Sequence, residues 1–151
     1  MNSFQDQIGE KNHCHGCGVG NGLGLQIKSE WQGEEAICRF HPRPHHCAAS
    51  TEVVNGGILA SVIDCHCNCT AMANLYREQA RAIGSQPENW CVTASLTLNY
   101  RKPAPIHEEL LVTARIVRRE GRKTWLSCSL SASNGVCVEA EMLAIQVAGA
   151  P

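Results

Sequence analysis

The chain has 151 residues, 13 basic and 14 acidic side chains and a formal net charge of -1. That length makes one domain with one substantial core, expected over 1–151 with a polar N-terminal segment at 1–13, and the balanced charge excludes a global field for nucleic acid or an anionic membrane. The first residues, MNSFQDQIGEKNHC, hold no apolar run of signal-peptide length and no stretch approaches the roughly 20 apolar residues of a membrane span, so the expected location is cytoplasmic.

In chain order, CHGCGVGNGLG is rich in glycine and reads as a loop. Next, LQIKSEW (25–31) and EAICRFH (35–41) alternate around Gln32-Gly33 and read as a two-stranded hairpin. A second loop follows over Pro42–Glu52, where Pro42 and Pro44 stop any ladder. From Gly57 to about Arg81 apolar residues recur at helical spacing, with Ile58, Val62, Cys65, Cys69, Met72 and Tyr76 on one stripe and Leu59, Ile63, Thr70 and Ala73 beside it. Gly84 and Pro87 end this long, mostly buried helix. Four strands are expected after it, Trp90–Tyr100, Glu109–Arg119, Lys123–Ser133 and Val136–Val147, the last two joined by an Asn134-Gly135 hairpin turn. Two strands, one helix and four strands make an α+β fold in which a curved antiparallel sheet must bury one face against the only long helix. Ten cysteines, several in apolar periodic segments (Cys38, Cys91, Cys128), read as reduced thiols that pack as small hydrophobes.

The chemistry concentrates in VVNGGILASVIDCHC. Gly56 and Gly57 at a helix start leave the unpaired first-turn N–H groups uncovered, so a substrate oxygen can reach them and the positive end of the dipole. The same pair also serves a tight turn or close helix packing. Asp64 is the one carboxylate in the apolar part of the helix, which implies either a catalytic group or a structural aspartate satisfied by a strand hydroxyl. Asp64 lies seven residues beyond Gly57, on the same face but about 10 Å along the axis. The two therefore cannot serve one carbonyl within a chain. Two antiparallel copies of the helix would bring Asp64 of one chain opposite Gly57 of the other, so the spacing predicts a dimer with two composite sites.

VVNGGILASVIDCHC resembles the His-Gly-Gly motif and helical aspartate of the hotdog-fold acyl-CoA thioesterases, particularly the PaaI-like branch. CHGCGVGNGLGLQIK is similar to a cysteine-containing opening found in some members, and TASLTLNYRKPAPIHEEL to the family's third strand and the turn after it. The resemblance runs from about Cys14 to Val147. It implies a central helix wrapped by an antiparallel sheet of about six strands, dimerising into one continuous sheet as a homodimer or a dimer of dimers. It further implies hydrolysis of an acyl-CoA to free acid and CoA, with no cofactor beyond the CoA of the substrate. Carried onto this sequence, Gly57 donates its N–H to the thioester carbonyl, Asp64 of the other subunit is nucleophile or general base, and Thr93 orients the water or the carboxylate. Asn55 stands where the family more often has histidine; it can position by hydrogen bonding but cannot act as an acid. Two other readings are a non-catalytic acyl-CoA or lipid-ligand binding protein on the same fold and a zinc-stabilised interaction module.

CoA carries phosphates, and Arg101, Lys102, Arg118, Arg119, Arg122 and Lys123 at strand ends are candidate contacts as well as ordinary solvated charges. For a metal, His13, Cys14, His15 and Cys17 offer ligands with Cys-x-x-Cys spacing, and His45, His46 and Cys47 would complete a shell if the two loops met. One Cys-x-x-Cys is half a zinc site. Within CHCNC, Cys65 and Cys69 share a helix face while His66 and Cys67 point elsewhere. The expectation is therefore a tight glycine loop braced by buried thiols, without metal.

Overall fold

The computed structural model describes residues 2–151. A short helix α1 (Phe4–Ile8) precedes strands β1 (Ser29–Gln32) and β2 (Glu35–Phe40), then the long helix α2 (Gly56–Glu78) and strands β3 (Asn89–Tyr100), β4 (Leu110–Glu120), β5 (Lys123–Ala132) and β6 (Gly135–Ala148). All six strands form one antiparallel sheet in the order β1-β2-β4-β5-β6-β3. Its inner face closes on α2. Along β6 the alternation is clean, with Val138, Ala140 and Met142 buried against the helix and Glu139 and Glu141 exposed on the outer face. No helix among the described residues is long and apolar enough to cross a membrane.

Three boundaries differ from those expected. The segment 1–13 is not simply polar surface: Ser3 caps α1 through a capping box with Asp6, and Phe4, Gln5 and Ile8 are buried. The first strand starts at Ser29 rather than Leu25, because Gln26 adopts a positive φ of 55° and residues 25–27 bond to the cysteine loop instead of β2, through Leu25 N to His15 O (2.7 Å) and Ile27 N to Gly16 O (3.2 Å). Helix α2 stops at Glu78 because Ala80 takes the left-handed conformation (φ 52°) and Arg81 N bonds back to Tyr76 O at 2.9 Å, ending the helix before Gly84 is reached.

The middle of α2 is buried around most of its circumference, with Val62, Ile63, Cys67, Cys69 and Ala71 fully enclosed. His66 is enclosed too, and holds helix to sheet: Nε2 donates to Ala36 O at 3.1 Å while Nδ1 accepts from the Ser29 hydroxyl at 2.8 Å. Burial disfavours the imidazolium and pushes its pKa down to about 4 from 6.5. The unfolded chain takes up this proton below pH 6.5 and the folded chain does not until pH 4, so the stability is complete above 6.5 and is lost as pH falls through that window. The expected loss is about 2 kcal/mol by pH 5. Denaturant titrations at pH 7 and pH 5 check it, and His66→Gln should remove most of this slope.

Candidate active site

Helix α2 keeps one stripe open along its first half. Gly57, Ser61, Asp64 and Asn68 are exposed or half-buried in a helix otherwise enclosed from Val62 to Tyr76. Asp64 therefore lies on the solvent side of the apolar run, not inside it as the sequence pattern suggests. Thr93, on β3, donates its hydroxyl to Asp64 Oδ1 at 2.5 Å. With its one proton committed to the carboxylate, Thr93 Oγ1 accepts from Asn68 Nδ2, also at 2.5 Å. A slip in the pairing with β6 between Thr93 and Ser95 marks a bulge at this point, the kind of irregularity that re-aims a strand side chain. Asn68 was not singled out from the sequence, although its position four residues beyond Asp64 places it on the same face. Its Oδ1 is buried with no hydrogen-bond partner among the described residues.

The helix start is set by two loops. Val54 N bonds to Ala104 O at 2.9 Å and Asn55 N to His46 O at 2.8 Å, which fixes the chain entering α2. Asn55 is the N-cap: its Oδ1 accepts from Gly57 N at 2.8 Å and from Ile58 N at 3.2 Å. The Gly57 N–H expected to meet a substrate is thus already engaged by Asn55. Tyr100, also missed in the sequence, closes this corner by donating its hydroxyl to Gly56 O at 2.7 Å. Asn55→Ala is expected to cost about 1 kcal/mol of stability through the lost cap, read from the denaturant midpoint.

The six basic residues do not converge. Arg101 pairs with Glu139 at 3.0 Å and lines a groove on the outer sheet face, remote from α2, and Lys102 donates to Asn134 O at 2.5 Å. Arg118 lies 3.7 Å over the Trp125 ring and pairs with Glu120, while Arg119 binds Glu78 at 2.6 Å. Arg122 and Lys123 make no ion pair among the described residues, and Arg122 borders a groove of about 530 Å³ with Asn89, at the start of β3.

Of the metal-type side chains, His46 is turned away to stack on Phe40 and accept from Arg43 N. Cys14, Cys17 and Cys65 do come together, and Cys69 neighbours them on the same face of α2 as Cys65. The neighbouring thiols of Cys14, Cys65 and Cys69 hold Cys17 well below the ordinary thiol range. Cys38 and Cys91 stand outside this cluster, and burial pushes both up to about 12.

The sequence profile of the thioesterase superfamily matches residues 51–139, a stretch that includes Asn55, the glycine pair, Asp64, Asn68 and Thr93. An acyl-coenzyme A thioesterase THEM4 from Bos taurus is 25% identical over 115 residues, covering 75% of this chain and 41% of that protein, so the chain spans less than half the length of this curated relative. A thioesterase superfamily protein from Shewanella loihica PV-4 superposes with a TM-score of 0.64 at 35% identity, covering 80% of this chain and 90% of that one. A phenylacetic acid degradation-related protein from Ralstonia eutropha shares the fold, with a TM-score of 0.70 at 17% identity over 95% of this chain and 99% of that one.

Proposed function

Because this chain belongs to the thioesterase superfamily, with its hotdog fold of one long helix in a six-stranded antiparallel sheet, we propose that it hydrolyses an acyl-CoA to free acid and CoA at two composite sites in a homodimer. The observation that carries this reading is the relay from Asn68 through Thr93 to Asp64, open to solvent at the edge strand β3. Strand β3 is 12 residues long and pairs only with β6. A long free edge of this kind is a template for another strand. Leu96 and Leu98 beside it are only half-buried and Tyr100 is 52% exposed, which supports a second copy paired edge to edge. Antiparallel pairing also sets the two α2 helices antiparallel, so that the start of one approaches Asp64 of the other.

In such a site the thioester carbonyl rests at the helix start, where Asn55 Nδ2, the Gly56 N–H and the dipole stabilise the oxygen as it gains charge. Gly57 contributes once its N–H exchanges Asn55 Oδ1 for the substrate oxygen. Asp64 has Oδ1 held by Thr93, leaving Oδ2 to take a proton from water as general base or to attack the carbonyl as nucleophile. CoA leaves as a thiolate that takes a proton from protonated Asp64 or from solvent, and on the nucleophilic route water then cleaves the anhydride left on Asp64 to release the acid. The bound Asn55 cap favours one rival, a protein that holds acyl-CoA without cleaving it. A free-thiol assay over aryl, short and long acyl-CoAs decides between them: release from at least one class, lost in Asp64→Asn, is expected, and tight binding of every class with no release would establish the rival.

The nucleotide end of CoA is placed, on this reading, by the cations that have no carboxylate of their own. From Thr93 to Asn89 along β3 is about 13 Å, which the pantetheine arm spans. Neutralising Arg122 and Lys123 together is expected to raise KM for acyl-CoA about fivefold or more and to leave the matching acyl-pantetheine thioester unchanged, since only the full substrate carries the phosphates. Removing Arg101, already paired with Glu139, should do less. Equal effects on both substrates would show that these residues do not read CoA.

A further inference from the structure

The cysteine loop carries chemistry that thioester hydrolysis does not use. Cys14 and Cys17 come from the N-terminal loop and Cys65 from the middle of α2, yet their three sulfurs all lie within 4.8 Å of one another. Cys14 Sγ and Cys65 Sγ are 3.5 Å apart. Four thiolates around a tetrahedral zinc at about 2.3 Å have sulfur–sulfur edges of about 3.8 Å, so this pair already has nearly the separation of two ligands. Cys69, one turn beyond Cys65 on the same helix face and a neighbour of Cys17, stands outside that group of three and is the nearest further thiol to act as fourth ligand once its side chain swings toward the ion.

The surroundings are those of thiolates rather than of apolar packing. Asn12 Nδ2 points at Cys17 Sγ at 3.5 Å. An amide donor directed at sulfur stabilises and orients a metal-bound thiolate. Asn12 Oδ1 meanwhile accepts from Cys14 N at 3.0 Å, fixing the turn between the two loop cysteines. Gly16, between them, has no room for a side chain: a Cβ there would stand 2.2 Å from Cys65 Sγ. Cys17, Cys65 and Cys69 are buried, but Cys14 is exposed, which gives an ion its way in and sets this cysteine apart from one retained for burial.

We propose that Cys14, Cys17, Cys65 and Cys69 form a structural zinc site that clamps the N-terminal loop onto α2. The proposal is independent of the acyl-CoA reading. On binding, each ligating thiol gives its proton to solvent and the thiolate donates to Zn²⁺; no electron is transferred. Filling all four positions with protein sulfur leaves none for substrate, so the role is to hold the fold, with Cys65 anchored next to Asp64 in the chain.

Elemental analysis of full-length protein, purified without added metal or chelator, is expected to find about one zinc per chain. Cys14→Ser with Cys65→Ser should lose it, and Cys38→Ala, at a core thiol outside this cluster, should keep it. Because the double variant risks misfolding, the wild type stripped by chelator is also titrated with CoCl2 alone. Saturation at about one equivalent, with the strong visible and charge-transfer absorption of tetrahedral cobalt thiolate, and a thermal midpoint that falls on stripping and recovers with ZnCl2, would support the site. Absence of zinc together with no thiolate absorption on cobalt addition would overturn it, as would a Cys14–Cys65 disulfide in the purified protein or zinc retained without these cysteines.

Discussion

Asp64→Asn is expected to lower acyl-CoA turnover by about a hundredfold or more while leaving the chain folded. Asparagine keeps an acceptor for the Thr93 hydroxyl, so the contact between α2 and β3 survives. What it loses is the negative charge and the ability to take a proton or attack a carbonyl, and no other carboxylate lies on α2 before Glu78. The half-exposed setting of Asp64 keeps the structural cost small. Thr93→Val should have a smaller effect, about tenfold, because it releases the carboxylate from its orientation without removing it. Turnover and stability are measured on the same preparations; near wild-type turnover by Asp64→Asn would sink the mechanism. If the sites are composite, mixing Asp64→Asn chains with chains altered at the helix start should recover one good site in each mixed dimer, and failure of isolated heterodimers to do so would place the whole site in one chain.

The largest stability effect is expected from Gly18→Ala. A Cβ at Gly18 would lie 2.4 Å from Cys14 N, 2.6 Å from Asn12 O and 2.7 Å from Cys14 O. All three are backbone atoms, so no side chain can rotate to make room. The turn would have to open, losing the Gly18 N to Cys14 O hydrogen bond of 2.8 Å and disturbing residues 25–27, which bond to the same loop. The expected cost is about 3 kcal/mol or more, a drop of roughly 6–12 °C in midpoint for a domain of this size. Gly22, in the same loop, has nothing within 4 Å of its Cβ position, and Gly22→Ala should be nearly neutral. Thermal unfolding of the two variants side by side makes the comparison. Similar midpoints for both would show that the loop is not packed on itself in this way.

Helix α2, the four strands after it and the turn at Asn134-Gly135 were legible in the sequence because local periodicity and turn chemistry specify them. So was the separation of Gly57 from Asp64, which follows from helix rise alone. The N-terminal third was less legible. Alternation over 25–31 is real, but whether such a segment pairs with a strand or with a loop depends on what lies beside it, and here Gln26 turns residues 25–27 toward His15 and Gly16. Local signals existed for α1, in Ser3 and Asp6 at capping-box spacing and the apolar Phe4 and Ile8.

The site divides in the same way. Sequence alone determined which residue types were at hand: a helical carboxylate, a glycine pair behind Asn55, a hydroxyl at Thr93, and cysteines in the loop and the helix. Only the tertiary structure decided that Asp64 faces outward, that Thr93 joins it, and that Cys65 meets Cys14 and Cys17. Each of these depends on contacts between residues far apart in the chain, 29 positions for Thr93 and Asp64 and 51 for Cys14 and Cys65. Periodicity fixes the face of an element on which a residue lies; which neighbour meets that face is settled by how α2 crosses the sheet and how the loops close over it.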